Sequence, residues 1–538
     1  MQGKKVFIFD TTLRDGTQGT RISFSVEDKL RIAQKLDEFG IDYIEGGWPM
    51  SNPRDFFFFQ KASRLRWKHA KLVAFGSTLR PGLLPEQDPN LNQLIEAGTP
   101  AVSLFGKSWL LHVEKGLKIS PEENIQLISH SIAFLKRARK EVISTPSIFF
   151  DGYKDDPSYA LSTLKAAESA GADTIVLCDT NGGTLPHELV AIVQEVRRQI
   201  GAPLGIHCHN DSETAVANSV LAVLHGCQQV QGTINGYGER CGNANLCSVL
   251  PNLQLKLGFY CIPEERLREL TSLSRFVSEV ANLAPPPNQP FVGRNAFAHK
   301  GGVHVSAVMR DPATYEHISP ERVGNRRRVL VSDLSGRSNI FYKSKELGLE
   351  TIGDVGKVSE IVRELKELEH EGYQFEVAEG SLELLLRRKL GEPAEHFSLK
   401  GFRVLIEKNE NEPSRAEVSI RVLVNGRVEH TAAEGNGPVH ALDNAIRKAL
   451  RRFYPQISKM KLADYKVRVL NEKAGTAAKV RVLIESGDGQ TSWSTMGVSE
   501  NIMEASWQAL SDSFNYFLLK RAVAQEMVQQ NVEGAVNQ

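Results

Sequence analysis

The sequence predicts an α/β fold whose first half is a (β/α)8 barrel. Three observations carry that prediction. Eight short apolar runs alternate with amphipathic, helix-like segments within residues 1–260, and such alternation implies parallel strands joined by helical crossovers. The first run ends in Asp10-Thr-Thr-Leu-Arg-Asp-Gly16 and not in the GxGxxG turn that an open, dinucleotide-binding sheet would more naturally carry. The polar motifs that could do chemistry cluster at the ends of the runs, where barrel enzymes keep their sites.

The runs are Val6–Phe9, Tyr43–Ile44 with its flanks, Leu72–Phe75, Ala101–Phe105, Val142–Phe150, Thr174–Cys178, Leu204–Cys208 and Gln229–Ile234. Ser25–Phe39 is the clearest helix between them. Ser25 can cap it, Asp28 stands three residues on, and Val26, Leu30, Ala33 and Leu36 share a face. Gly40, Gly98, Gly171 and Gly226 read as helix C-caps. Phe56–Phe59 lies in another helical segment, and four consecutive rings cannot all face one core.

The alternation stops at Pro285-Pro-Pro287. Loop-like residues follow, then His299-Lys-Gly-Gly-Val-His304, a basic cluster at Arg326–Arg328, and a charged helix near Asp354–Glu369 with Val358, Ile361, Leu365 and Leu368 on its apolar face. From about Phe397 two similar blocks appear, each two strands and a helix: Val418–Asn425 onward to a helix over Val439–Leu450, and Val480–Glu485 onward to a helix over Ile502–Leu510. Such duplication suggests a regulatory or dimerising ββα module. The expected organisation is a catalytic barrel over 1–280, helical linker subdomains over 281–395, a regulatory domain over 396–525 and a disordered tail over 526–538.

Composition narrows the function. Of 538 residues, 65 are Lys or Arg and 64 are Asp or Glu, a net charge of +1, which argues against nucleic acid or an anionic membrane as partner. No apolar stretch is long enough to span a bilayer and no signal core follows Met1–Lys5, so a cytoplasmic protein is expected. The six cysteines form no CxxC pair and read as buried thiols.

Three motifs carry the chemistry: Asp10–Gly16, His207-Cys-His-Asn-Asp211, and Gly236-Tyr-Gly-Glu-Arg-Cys-Gly-Asn243. His207 and His209 are two apart on a strand, so both imidazoles point the same way. Two imidazoles and a carboxylate bind a divalent ion and leave positions open for substrate. Closure of a barrel would make strands one, seven and eight neighbours. A single histidine alone would read as a structural residue, and Arg14-Asp15 alone as a surface ion pair. Beside a metal, Arg14 becomes a fixed cation able to stabilise an oxyanion.

Together DTTLRDG, HCHND and NGYGERCGNANL resemble the DRE-TIM metallolyase superfamily, in particular the branch of isopropylmalate, homocitrate and citramalate synthases. The segments FSVEDKLRIAQKLDEFGIDYIEGGWP, FGKSW, FFDGYK, CDTNGGTLP and VLVSDLSGRSNI resemble the long-chain citramalate synthases. That resemblance implies a condensation of acetyl-CoA with pyruvate to citramalate and CoA, for isoleucine biosynthesis, with Mg, Mn or Zn as cofactor. It implies metal ligands Asp15, His207 and His209 with Asn243 in or near the coordination shell, Arg14 on the keto oxygen, and Thr180 on the oxo-acid carboxylate. It also implies that His304 and Tyr315 assist deprotonation of acetyl-CoA from the partner subunit of a homodimer, and that the C-terminal module binds an amino-acid feedback inhibitor. Leu104, at the end of the fourth run, is read either as a wall of the pyruvate pocket or as a plain core leucine.

One position departs from the pattern. Relatives carry an acidic residue a few positions before FFDGYK, and here Ser147 stands there. A serine cannot serve as a base at neutral pH. Arg21 occupies a loop position where relatives usually have glycine. Two alternatives therefore accompany the main reading: a 2-isopropylmalate or homocitrate synthase using another 2-oxo acid, and a catalytically weak paralogue acting as a ligand sensor or scaffold.

Overall fold

The computed structural model describes residues 3–349, 355–470, 475 and 477–536, with side chains up to residue 522. It divides into two compact units. One holds the residues up to Phe297 together with Glu316–Arg327, and the other holds Ala298–Tyr315 and the residues from Arg328 onward.

The first unit is the expected barrel. Strands β1 (Phe7–Asp10), β2 (Tyr43–Gly47), β3 (Lys71–Ser77), β4 (Ala101–Lys107), β5 (Glu141–Ser147), β6 (Thr174–Asp179), β7 (Leu204–Cys208) and β8 (Gln229–Gly232) close in sequence order. Closure is made by β1 on β8, where Phe7–Asp10 run parallel to Gln229–Gly232. The interior is filled by Phe9, Tyr43, Val73, Ala101, Ile143 and Val176, a separate cluster from the apolar layer beneath the helices. Strand positions covered on both faces are mostly apolar, which is why most of the runs stand out in the sequence.

Helices α1 (Val26–Phe39), α2 (Pro53–Ala62), α3 (Pro89–Glu96) and α4 (Pro121–Arg137) precede β5. The α1 cap is a capping box: Ser25 Oγ accepts from Asp28 N, and Ser25 N donates to Asp28 Oδ2 at 3.0 Å. The helix stops at Gly40, whose φ of +100° only glycine adopts without strain. On α2, Phe58 and Phe59 are buried while Phe57 is exposed. The fifth run is a strand only to Ser147. Ile148 takes φ +58°, and Phe149 and Phe150 open a helix, Phe149–Asp155.

The expected linker is shared between the units. Residues 281–297 and Glu316–Arg327 pack with the barrel unit. Asn325 Nδ2 donates to the carbonyls of Phe291 and Gly293, and Thr271 Oγ1 donates to that of Val323 at 2.7 Å.

In the second unit Ala298–His299 pairs with Arg328–Val329, and helices Gly302–Arg310, Arg337–Glu346, Val355–Glu371 and Glu379–Leu390 follow. The charged helix presents Val358, Ile361 and Leu365 to a local core, as its pattern predicts; Asp354 lies outside the described residues. The duplicated blocks are three-stranded antiparallel sheets with a helix each. One has Phe397–Glu407, Arg415–Val424 and Arg427–Gly435 with Pro438–Leu450; the other has Lys461–Val469, Val480–Gly487 and Ser492–Ser499 with the final helix. Each block therefore carries a leading strand beyond the two expected. The final helix runs Ile502–Val536, across most of the stretch expected as a disordered tail; residues 537–538 lie outside the described ones.

Candidate active site

The loop after β1 folds back on itself. Arg14 N and Gly16 N both donate to the Thr11 carbonyl, at 3.1 and 3.0 Å. Asp10, fully buried, accepts from Thr12 N and Thr12 Oγ1, and Thr12 Oγ1 accepts from Ile234 N beyond β8. Burial pushes the Asp10 carboxyl up to about 7, against the bonds from Thr12. This turn aims Arg14 and Asp15 over the mouth of the barrel.

Asp15, His207 and His209 converge there. All three are buried, and one ligand atom from each lies within 4.8 Å of the others. Asp15 Oδ2 is 3.2 Å from His207 Nε2 and 3.8 Å from His209 Nε2. Asn243 joins them: Nδ2 donates to Asp15 Oδ2 at 2.9 Å and lies 3.2 Å from His207 Nε2. The loop after β8 delivers Asn243 by a bridge to His209, with Asn210 N donating to Gly242 O and Ala244 N to Cys208 O. Gly242 permits the fold-back, since at φ +87° an added Cβ would lie 2.0 Å from the Gly236 carbonyl oxygen.

The donors fit a divalent cation. His207 Nδ1 is 3.0 Å from Gln231 Oε1, so the tautomer that bonds carries its proton on Nδ1 and turns the Nε2 lone pair towards Asp15. A lone pair facing a carboxylate oxygen calls for positive charge between them. Burial, helped by His207 alongside, pushes His209 down to about 4, which leaves a neutral imidazole at neutral pH. Burial works to raise the Asp15 carboxyl, but the Arg14 guanidinium beside it works the other way, and the carboxyl is held well below the usual carboxylate range. Asn243 Oδ1 and His209 Nδ1 are buried without partners among the described residues.

Arg14 is fixed from three sides. Its Nε donates to Glu45 Oε2 at 2.7 Å, its Nη1 is 3.5 Å from Asp15 Oδ1, and its guanidinium carbon stands 3.9 Å from the centre of the Phe75 ring. Glu45 is wholly buried in the middle of β2. A cavity of about 420 Å³ opens over these groups. Trp48, Phe75 and Phe105 wall one side: the two phenyl rings stack at 5.2 Å and the indole meets both edge-on. Thr145, Ser147, Cys178 and Thr180 line the other side. Thr180 Oγ1 accepts from Ile148 N at 2.9 Å, which leaves its hydroxyl hydrogen free to donate. Arg240 ties the loops together, forking onto Asp211 and donating to the Thr180 carbonyl at 2.7 Å.

Of the residues singled out in the sequence, Arg14, Asp15, Thr180, His207, His209 and Asn243 are thus brought together. Leu104 is not. It is buried on the outward face of β4 beside Ile128 and Ile132 of α4, and its strand neighbour Phe105 faces the cavity instead. Alternation along the strand separates them, so Leu104 is a core leucine. His304 and Tyr315 belong to the second unit, where their rings stack at 4.2 Å and both are exposed. Cys241 is exposed, unlike the other five cysteines. Arg21 sits at φ +69°, a conformation that favours glycine. Glu45, Gln231 and Arg240 were not anticipated. Glu45 had a visible signal, a carboxylate inside an apolar strand run.

Comparison with known proteins agrees with this geometry. Residues 5–277 match the HMGL-like family model, residues 291–373 the homocitrate synthase post-HMGL domain-like model, and residues 376–518 the LeuA allosteric (dimerisation) domain. The (R)-citramalate synthase of Aquifex aeolicus is 57% identical over 519 residues, covering 96% of this chain and 98% of its own. That of Geobacter sulfurreducens is 58% identical over 516 residues, with coverages of 96% and 98%. A probable 2-isopropylmalate synthase of Methanopyrus kandleri is 34% identical over 521 residues, covering 96% of this chain and 99% of its own. The barrel, its buried Asp-His-His cluster and near full-length similarity lead to one conclusion: the chain belongs to the HMGL-like family and, within it, to the citramalate synthases.

Proposed function

We propose that the chain condenses acetyl-CoA with pyruvate to give (R)-citramalate and CoA. The observation that carries the reading is the convergence of Asp15, His207 and His209 beneath a cavity walled by Arg14 and aromatic rings, in a chain similar over its length to (R)-citramalate synthases. Asp15, His207 and His209 would hold a divalent cation, with Asn243 beside them; the donor set suits Zn, Mn or Mg. When bound, that ion supplies Lewis-acid polarisation of the 2-oxo acid's keto group.

The chain's own residues do the rest. Thr180 donates its free hydroxyl hydrogen to the oxo-acid carboxylate. Arg14, immobilised by Glu45 and Phe75, faces the oxygen on which negative charge develops. Phe75, Phe105 and Trp48 exclude water and leave room for a methyl group. A base removes a proton from the acetyl methyl group, the new carbon–carbon bond forms at the keto carbon, and its oxygen gains a proton to become the hydroxyl. Water then cleaves the thioester and releases the CoA thiol. Ser147 cannot be that base. The stacked His304–Tyr315 pair of a partner subunit is assigned the proton transfer, which makes a homodimer the active form. The LeuA domain carries dimerisation and response to an amino-acid inhibitor. The protein works in the cytoplasm; among the described residues no helix is long and apolar enough to cross a membrane.

A thiol-release assay tests this. Acetyl-CoA is offered with pyruvate, 2-oxobutyrate, 2-oxoisovalerate or 2-oxoglutarate, with and without a chelator. Fastest release with pyruvate, abolished by the chelator, is expected. Preference for 2-oxoisovalerate would convert the assignment to isopropylmalate synthesis. Release with none of them would leave the sensor or scaffold reading, which the Ser147 lining of the cavity favours.

A further inference from the structure

Lys107 ends β4, with its backbone in register with Ser147 of β5. Side chains two apart on a strand share a face, so Lys107 stands on the same face as Phe105, one step further out along the barrel mouth. Its Nζ lies 5.6 Å from the centre of the Phe105 ring. Phe105 and Ser147 both line the active cavity. The ammonium therefore stands beside two residues of the cavity wall, at the strand end just outside the lining itself.

Its surroundings are unusual for a lysine so placed. It is half-buried, and burial alone pushes its ammonium below the ordinary lysine value, with no ion pair or hydrogen bond offsetting the loss of water. Among the described residues no carboxylate pairs with it, and no acid offsets its loss of water. The charge it does affect is His112, which burial and Lys107 together push down. Ser147, directly across the strand pair, supplies no counter-charge. A half-buried cation left unpaired at a substrate cavity stands ready for an anion that arrives from outside.

We infer that Lys107 is a binding cation for the acyl-CoA substrate, engaging an anionic group of CoA at the rim between β4 and β5 while the 2-oxo acid occupies the floor. The depth of the two positions separates the two anions: the carboxylate of a small oxo acid lies by Thr180, whereas CoA is too long to enter a cavity of about 420 Å³ whole and must lay its phosphates across the mouth. The inference rests on the proposed use of acetyl-CoA.

Two measurements on the full-length protein test it. Calorimetric titration with CoA alone, without oxo acid, compares wild type with Lys107→Met and Lys107→Arg. A hydrogen bond to a charged partner is worth about 1.5–3 kcal/mol, so Lys107→Met should weaken CoA binding by roughly ten- to a hundredfold, and Lys107→Arg should restore most of it. In thiol-release kinetics the same variant should raise KM for acetyl-CoA by a similar factor, with KM for pyruvate unchanged. Equal CoA affinity in wild type and Lys107→Met would overturn the inference and reduce the side chain to a cover for Phe105. So would failure of Lys107→Arg to recover binding while it keeps the wild-type melting temperature. Wild type that binds CoA through Lys107 yet releases no thiol with any oxo acid would refute the condensation and leave the CoA site standing.

Discussion

Replacing Glu45 by Gln removes a charge that touches no substrate, and the account requires it to slow the reaction. Glu45 is wholly buried and its Oε2 accepts from Arg14 Nε at 2.7 Å. At an effective dielectric of about 20, opposite charges at that separation attract by about 6 kcal/mol. Glutamine keeps a neutral hydrogen bond and avoids the cost of burying a carboxylate, so the net loss of hold on Arg14 is about 2–3 kcal/mol. A guanidinium released by that amount leaves the developing oxyanion less well served, and kcat for thiol release should fall roughly 30- to 150-fold. The KM for pyruvate should change little, because the proposed mechanism gives ground-state binding to Thr180 and the Asp-His-His cluster. Glu45→Asp, which retains the charge, should recover part of the rate. If Glu45→Gln keeps kcat within about threefold of wild type while Arg14→Met is inactive, the anchoring argument fails.

Three further outcomes follow from the same geometry. Phe105→Ala removes one ring of the stacked wall and should raise the preference for 2-oxobutyrate over pyruvate by roughly tenfold, the value of a methylene's worth of space, in competition assays. Ser147→Glu places a carboxylate on β5 facing the cavity, and if proton abstraction limits turnover, kcat should rise by about tenfold or more; an unchanged rate would mean that proton transfer is complete without it. Asp10 titrates near 7 when folded and near 3.8 when unfolded. The folded state therefore holds more protons between those values, and its stability should fall as pH rises from 4 to 7, by about 4 kcal/mol from this group alone. Urea unfolding of Asp10→Asn should lack that part of the slope; an identical slope would refute the assignment.

Much of this molecule was legible in its sequence, for identifiable reasons. Most positions of the barrel strands are apolar on both faces because helices cover one side and the interior layer the other, so most strands read as apolar runs, with buried polar exceptions such as Gln229 and Gln231 in β8. The leading strands Phe397–Glu407 and Lys461–Val469 were missed because they lie at sheet edges and most of their side chains are exposed or half-buried. Phe149 and Phe150 continue an apolar run, yet the left-handed Ile148 turns the chain into a helix, a change that no periodicity announces. His207 and His209 stood out because ligand chemistry and strand-end position pointed together, whereas Asp15 as the third ligand came from the family resemblance of DTTLRDG. Leu104 shows the limit: apolarity does not say which of two adjacent residues faces inward, and register decides for Phe105. Glu45 shows the opposite case, a buried charge in an apolar strand whose purpose emerges only once Arg14 is seen beside it.

The central claim is that Asp15, His207 and His209 grip one divalent cation. Metal content after exhaustive dialysis against a known concentration of Zn, Mn or Mg should be one equivalent per chain in wild type and none in the folded His207→Ala/His209→Ala variant. An equal equivalent in both, at equal melting temperature, would contradict the account.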